Sequence, residues 1–193
     1  MSDAGVGARA TEAMGLFIEA VDQIPSAAWD QPSNLEGWSI RDLVAHTTGT
    51  AAKIVTLVEG GQAWEGPSEP DDWKSDDPAA QLHELTVRLN DALAGADLDA
   101  ARPSPEGEVP LHQALAFPIC GLAIHVCDVY RSQDRALELP DGLLGFCRQV
   151  AESVPEDKLR RPGGFGPAQP VAEDATPTAR LMAYFGRPVR RRG

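Results

Sequence analysis

Apolar residues recur at steps of three and four through most of this chain, the spacing that turns one side of an α-helix toward a core. Ala13, Leu16, Phe17, Ala20, Val21 and Ile24 form the stripe of a predicted helix over residues 8–24, which Pro25 ends. Ile40, Leu43, Val44, Ala51, Ile54, Val55 and Val58 mark a second over 40–59, stopped by Gly60 and Gly61. Its start is written twice, by Ser39 as N-cap and by Asp42 three residues on, a capping-box pair. Asp77 and Pro78 open a third helix carrying Leu82, Leu85, Leu89 and Leu93, with Gly95 as its stop. Pro110 opens a fourth, reaching about residue 131, with Leu111, Leu115, Ile119, Leu122, Val126 and Val129 as its stripe. Two shorter helices follow, one from Pro140 through Leu143, Leu144, Phe146, Cys147 and Val150. The other starts at Thr176 and Pro177 and carries Leu181, Met182, Tyr184 and Phe185 up to Gly186.

No β-branched segment of period two competes, and no internal repeat is visible. The expected fold is therefore all-α, an antiparallel four-helix bundle with additional short C-terminal helices. Residues 97–109 read as a polar loop holding Pro103 and Pro105. The acidic, proline-rich stretch 62–77, with Trp64 and Trp73, is long for a bundle loop and either covers a pocket or packs on the surface.

Composition narrows the class. At 193 residues the expectation is one domain, 1–193, with a flexible basic tail over 187–193 that holds Arg187 and Arg190 to Arg192. A hydrophobic content of 42% with 24% charged residues matches a soluble globular protein, and no uninterrupted apolar run approaches bilayer length. The start lacks a basic, then apolar leader, so the expected address is cytoplasmic, with no membrane partner. A net charge of −12 argues against nucleic acid, whose phosphates need clustered Lys and Arg. Cys120, Cys127 and Cys147 form no CxxC pair and read as small buried thiols.

Candidate chemistry centres on two histidines. His46 falls at the edge of the second helix's apolar face. On the fourth helix Ala114, Pro118, Gly121, His125 and Asp128 lie along one flank of the core stripe, so His125 has the same rim placement. Facing helices of a bundle commonly build sites this way, although each histidine could equally be a boundary residue. Asp128 could orient His125 or a ligand, or pair with Arg41 or Arg131. Trp38 reads as a core anchor. Pro118 removes a helical hydrogen bond to Ala114 and predicts a kink. Gly163, Gly164 and Gly166 follow no strand and do not make a phosphate loop, and no nucleophile elbow is present.

Taken in order, these stretches resemble a known family. Leu35, Gly37-Trp38-Ser39, Arg41-Asp42-Leu43 and His46 come first, then Ile124-His125, Asp128 and Arg131. Phe165-Gly166-Pro167 with Pro170-Val171, and Leu181, Ala183 and Gly186-Arg187, follow. The set resembles the mycothiol-dependent maleylpyruvate isomerase group of DinB-like proteins, in its short, single-domain form. The resemblance implies a DinB-like four-helix bundle with a zinc-type divalent metal, a mycothiol co-substrate, and activity as a thiol-dependent isomerase or S-transferase on a small electrophile. It maps the first and last metal ligands to His46 and His125. The middle ligand, one turn before the last, maps to Gly121, which has no side chain to give. Cys120, Asp128, His112 and His83 are the conceivable replacements. The alternative is a metal-free binding protein, or a cofactor-independent isomerase or cyclase, with His46, His125 and Asp128 as its working residues; a homodimer through a helix face is a further expectation.

Overall fold

The computed structural model describes residues 5–62, 69–104, 107–160 and 165–187; Trp64, Gly163, Gly164 and Arg190 to Arg192 lie outside them. Along the chain come α1 (Val6–Asp22), a 3-10 turn (Ser26–Ala28), α2 (Ile40–Val58), α3 (Pro70–Trp73), α4 (Pro78–Leu93), β1 (Ala101–Ser104), β2 (Gly107–Pro110), α5 (Leu111–Ser132), α6 (Asp141–Ser153), α7 (Glu156–Leu159) and α8 (Pro177–Tyr184). The chain divides into two compact units, residues 1–135 and 136–193.

In the first unit α1, α2, α4 and α5 form the expected four-helix bundle. α5 packs on α1 and α2, and α4 closes the other side against the same two helices. The core is the predicted one, with Phe17, Leu43, Ile54, Leu82, Leu89, Leu115, Ile119 and Val126 fully buried. On α1, Met14 is buried where Leu16 was expected. α2 starts on the full capping box: Ser39 accepts from the Asp42 N–H and Asp42 accepts from the Ser39 N–H. Its end is marked by Gly60 at φ 92°, a conformation that costs glycine nothing.

Two expectations fail here. Residues 101–104 and 107–110, read within a polar loop, pair as the antiparallel strands of a hairpin, Ala101 opposite Pro110 and Ser104 opposite Gly107. Four-residue strands holding Pro103 and Pro110 leave no period-two signal. The hairpin serves helix ends: Arg102 Nε donates to the Leu57 carbonyl at 2.9 Å, and the carbonyls of Ala100 and Leu98 accept from the Leu111 and His112 N–H groups. Second, α5 is long and apolar enough to cross a bilayer by length and composition, with a mean hydropathy of 1.4 over its best window. Scattered polar residues hid this from a search for uninterrupted runs. Its side chains are mostly buried inside the protein, the pattern of a core helix. α5 also runs through Pro118 without interruption.

In the second unit α6 packs on α8. The Leu139 N–H donates to Thr178 Oγ1, and Tyr184 Oη donates to the Ala151 carbonyl. Gly186 has φ 78°, and a Cβ there would stand 2.7 Å from the Gly166 backbone, so glycine is required twice over. Cys120, Cys127 and Cys147 are buried, as expected.

Candidate functional site

The two histidines meet. His46 Nε2 lies 3.3 Å from His125 Nε2, with ring centroids 4.8 Å apart and planes nearly perpendicular. His46 is half-buried on α2, as its rim position predicts. His125 is only 9% exposed, more enclosed than a rim residue, because α5 is buried on nearly every face. Trp38 is no core anchor: it is half-buried and lays its ring 4.7 Å from that of His46. The capping box holds it there, immediately ahead of α2.

Asp128 is fully buried, one turn beyond His125. Its Oδ2 stands 3.4 Å from His125 Nδ1, an electrostatic contact out of line for a hydrogen bond. Asn34 Nδ2 donates to Asp128 Oδ1 at 2.9 Å, and the Ser132 hydroxyl lies within donating distance of Asn34 Oδ1 and of the Asp128 carbonyl. Buried carboxylates survive only when met in this way. The Asp128 carboxylate therefore backs the ring nitrogen of His125 that faces away from His46, which suits an orienting partner and not a replacement ligand. Arg41, one candidate partner for Asp128, lies 3.0 Å from Asp30. Asn34 and Ser132 were not singled out from the sequence; 98 residues separate them, and neither sits in a motif.

Asp42 lines a shallow cavity of about 220 Å³ beside Trp38, Glu69 and Asp71. Lys74 bridges Asp42 at 2.9 Å and Asp71 at 2.7 Å. That hydrogen bond, with the one from Ser39, holds the Asp42 carboxyl down at about 2.

A separation of 3.3 Å matches two nitrogens on one tetrahedral ion at 2.0–2.1 Å from each. Among the described residues no third donor joins the pair. Gly121 sits where it would stand, and a Cβ there would meet nothing within 4 Å. Cys120 is buried on another side of α5. His83 is exposed on α4, and His112 Nδ1 lies 3.1 Å from the Leu98 carbonyl. Among the described residues no three His, Cys, Asp or Glu side chains converge. A resident ion held by three side chains does not fit these residues.

The class defined here is a helical bundle with facing histidines on two neighbouring helices, α2 and α5. The chain belongs to the family described as mycothiol maleylpyruvate isomerase N-terminal domain, whose model matches residues 9–130. That span holds Asn34, His46, Gly121, His125 and Asp128. Two solved structures share the fold: the mycothiol-dependent maleylpyruvate isomerase (TM-score 0.61) and a histidine-to-alanine mutant of it (TM-score 0.60). Each is 17% identical, over 78% of this chain and 68% of theirs. No curated protein matches the chain.

Proposed function

We propose that this protein acts on a small electrophilic molecule by proton transfer at His46 and His125, with a low-molecular-weight thiol, mycothiol in this family, as co-substrate. The observation that carries the reading is the 3.3 Å pair of Nε2 atoms with a buried carboxylate behind one ring. Two facing imidazole lone pairs repel, so a proton lies between the nitrogens, one ring donating and the other accepting. The pair takes a further proton from the thiol S–H, and Asp128 stabilises the charge that His125 then carries. The sulfur left as thiolate adds to the electrophilic carbon as that carbon's π bond opens, its electron pair moving onto the conjugated carbonyl oxygen until the π bond re-forms. When the C–S bond breaks again, the electron pair returns to sulfur and the proton to the thiol.

Moving a proton from an ordinary thiol, near pKa 8.5, to an ordinary imidazole, near 6.5, costs about 2.7 kcal/mol. A thiolate held against an imidazolium recovers a cost of that size in cysteine–histidine pairs, so the step needs no metal. A net charge of −12 supports a small-molecule partner over nucleic acid. A second reading, a protein that binds its ligand without turning it over, is favoured by the open space beside Gly121.

The test is turnover of maleylpyruvate with mycothiol across pH. The expected rate profile bends between about pH 5 and 8, and His46→Ala loses about 100-fold or more. A flat profile, or an undiminished His46→Ala, would refute the proton-transfer role. Binding without turnover would select the second reading.

A further inference from the structure

Between Leu43 and Val58 every residue of α2 is buried except His46, Thr50, Lys53 and Thr56. With Asp42 they make one stripe at steps of four, four, three and three. Asp42 thus stands about one helical turn before His46, and Lys53 about two turns after it. α2 and α5 run in opposite directions. Asn34, ahead of α2, is bonded to Asp128 and Ser132 near the end of α5, and Leu57, near the end of α2, to Arg102 of the hairpin that leads into α5. The open space at Gly121 therefore lies on the Lys53 side of His46. The Asp42 side is taken by α3.

The shallow cavity there is lined by Gly37, Trp38 and Asp42 from the start of α2, and by Glu69, Pro70 and Asp71 from the start of α3. Trp38 belongs to both places, since it lines this cavity and lies against the His46 ring. Both sides of the cavity are fastened to one carboxylate. Asp42 Oδ2 accepts from the N–H of Ser39, the residue after Trp38, and from its hydroxyl at 2.6 Å. Asp42 Oδ1 takes the Lys74 ammonium at 2.9 Å, and the same ammonium reaches Asp71 at 2.7 Å.

Little else holds α3. None of its four residues is buried. Among the described residues its other hydrogen bonds are local, from the Asp72 N–H to the Glu69 carbonyl and from the Lys74 N–H to the Pro70 carbonyl. One helical turn does not stabilise itself. The Lys74 side chain is 40% exposed and that of Asp71 is 89% exposed, so both sit where water and salt weaken an ion pair. The fastening is well placed and weak, which is what a contact that opens and closes requires.

We propose that α3 is a strap over the Asp42 side of the histidine pair and that Lys74 is its latch. A ligand reaches His46 past Trp38 when the bridge from Lys74 to Asp42 is open. The capping box uses the other oxygen of Asp42, so it keeps the start of α2 in place whether the strap is open or closed. His46 as a working residue rests on the function proposed above, and the strap adds control over its access.

Diethyl pyrocarbonate, which acylates accessible imidazoles, tests this on the full chain, with peptide mass spectrometry comparing His46 with the exposed His83. Wild-type His46 is expected to react about tenfold or more slower than His83. Lys74→Met, melting as the wild type does, should raise the His46 rate about tenfold and leave His83 unchanged, and Lys74→Arg should restore most of the protection. Salt at about 1 M, where the screening length falls to about 3 Å, should raise the His46 rate in the wild type and not in Lys74→Met. An unchanged His46 rate in Lys74→Met, or wild-type His46 as reactive as His83, overturns the latch. So does a His83 rate that rises in step with that of His46, the mark of general loosening. The readout is access and not turnover, so a histidine pair that fails the rate test leaves this result standing, and the reverse holds as well.

Discussion

The two ends of one polar stripe on α2 are built on opposite terms. At the Asp42 end Ser39 and Lys74 both stand within hydrogen-bond reach of the carboxylate, Lys74 also reaches Asp71, and the acid is held ionised down to about pH 2. At the other end His46 faces a second histidine, and Lys53 meets no acid among the described residues. On the Lys53 side of His46, Gly121 opens space on the facing helix. Charges satisfied within a few residues hold helix ends in place. Charges left for something else to satisfy are where a ligand gains from binding.

Adding the missing donor should break this contrast most sharply. Gly121→Glu puts a carboxylate into open space beside two nitrogens already at ligand spacing. Zinc affinity in a chelator competition should rise by more than the roughly 10–100-fold that outer-shell changes command. No gain would mean that the Gly121 side of α5 does not reach the pair. Next in size is Asp128→Asn, which keeps the bond to Asn34 in shape but removes the charge behind His125. Turnover should fall about 100-fold with little change in KM, and a KM effect alone would make Asp128 a binding residue.

Stability should move in opposite directions at the two ends. Asp42→Asn removes a capping-box acceptor and the Lys74 bridge, and should cost about 1 kcal/mol at neutral pH. The Asp42 pKa, about 2 when folded, lies below its unfolded value of 3.8. Its contribution is therefore complete above about pH 4 and is lost as pH falls toward 2, so the gap between wild type and Asp42→Asn should close over that window in thermal melts. Lys53→Met, replacing a desolvated ammonium by a thioether of similar length, should change stability by less than about 0.5 kcal/mol or raise it. A larger loss would make Lys53 a structural residue and erase the comparison.

Much of the bundle was legible because it rests on local rules. The stripes of α2, α4 and α5, the Ser39–Asp42 box, the Asp77 and Thr176 caps and the glycine stops each involve residues a turn or less apart. The hairpin was not, since two four-residue strands with prolines take their order from the ends of α2 and α5, not from their own pattern. His46 and His125 could be named as rim residues of their helices, and the family resemblance paired them. Their 3.3 Å approach and the burial of His125 depend on how α2 and α5 lie together.

The sequence by itself determined the helices, the acidic balance, the absence of a side chain at position 121 and the residue types available for proton chemistry. Only the tertiary structure decided which of them work together. It set Asp128 on the far nitrogen of His125, brought Asn34 to Asp128 and Ser132 across 94 and 98 residues, and left Lys53 in line with His46 on α2. The reason is physical: helix formation is a contest settled within a few residues, whereas the company a buried charge keeps is settled by packing between segments that the chain order holds far apart.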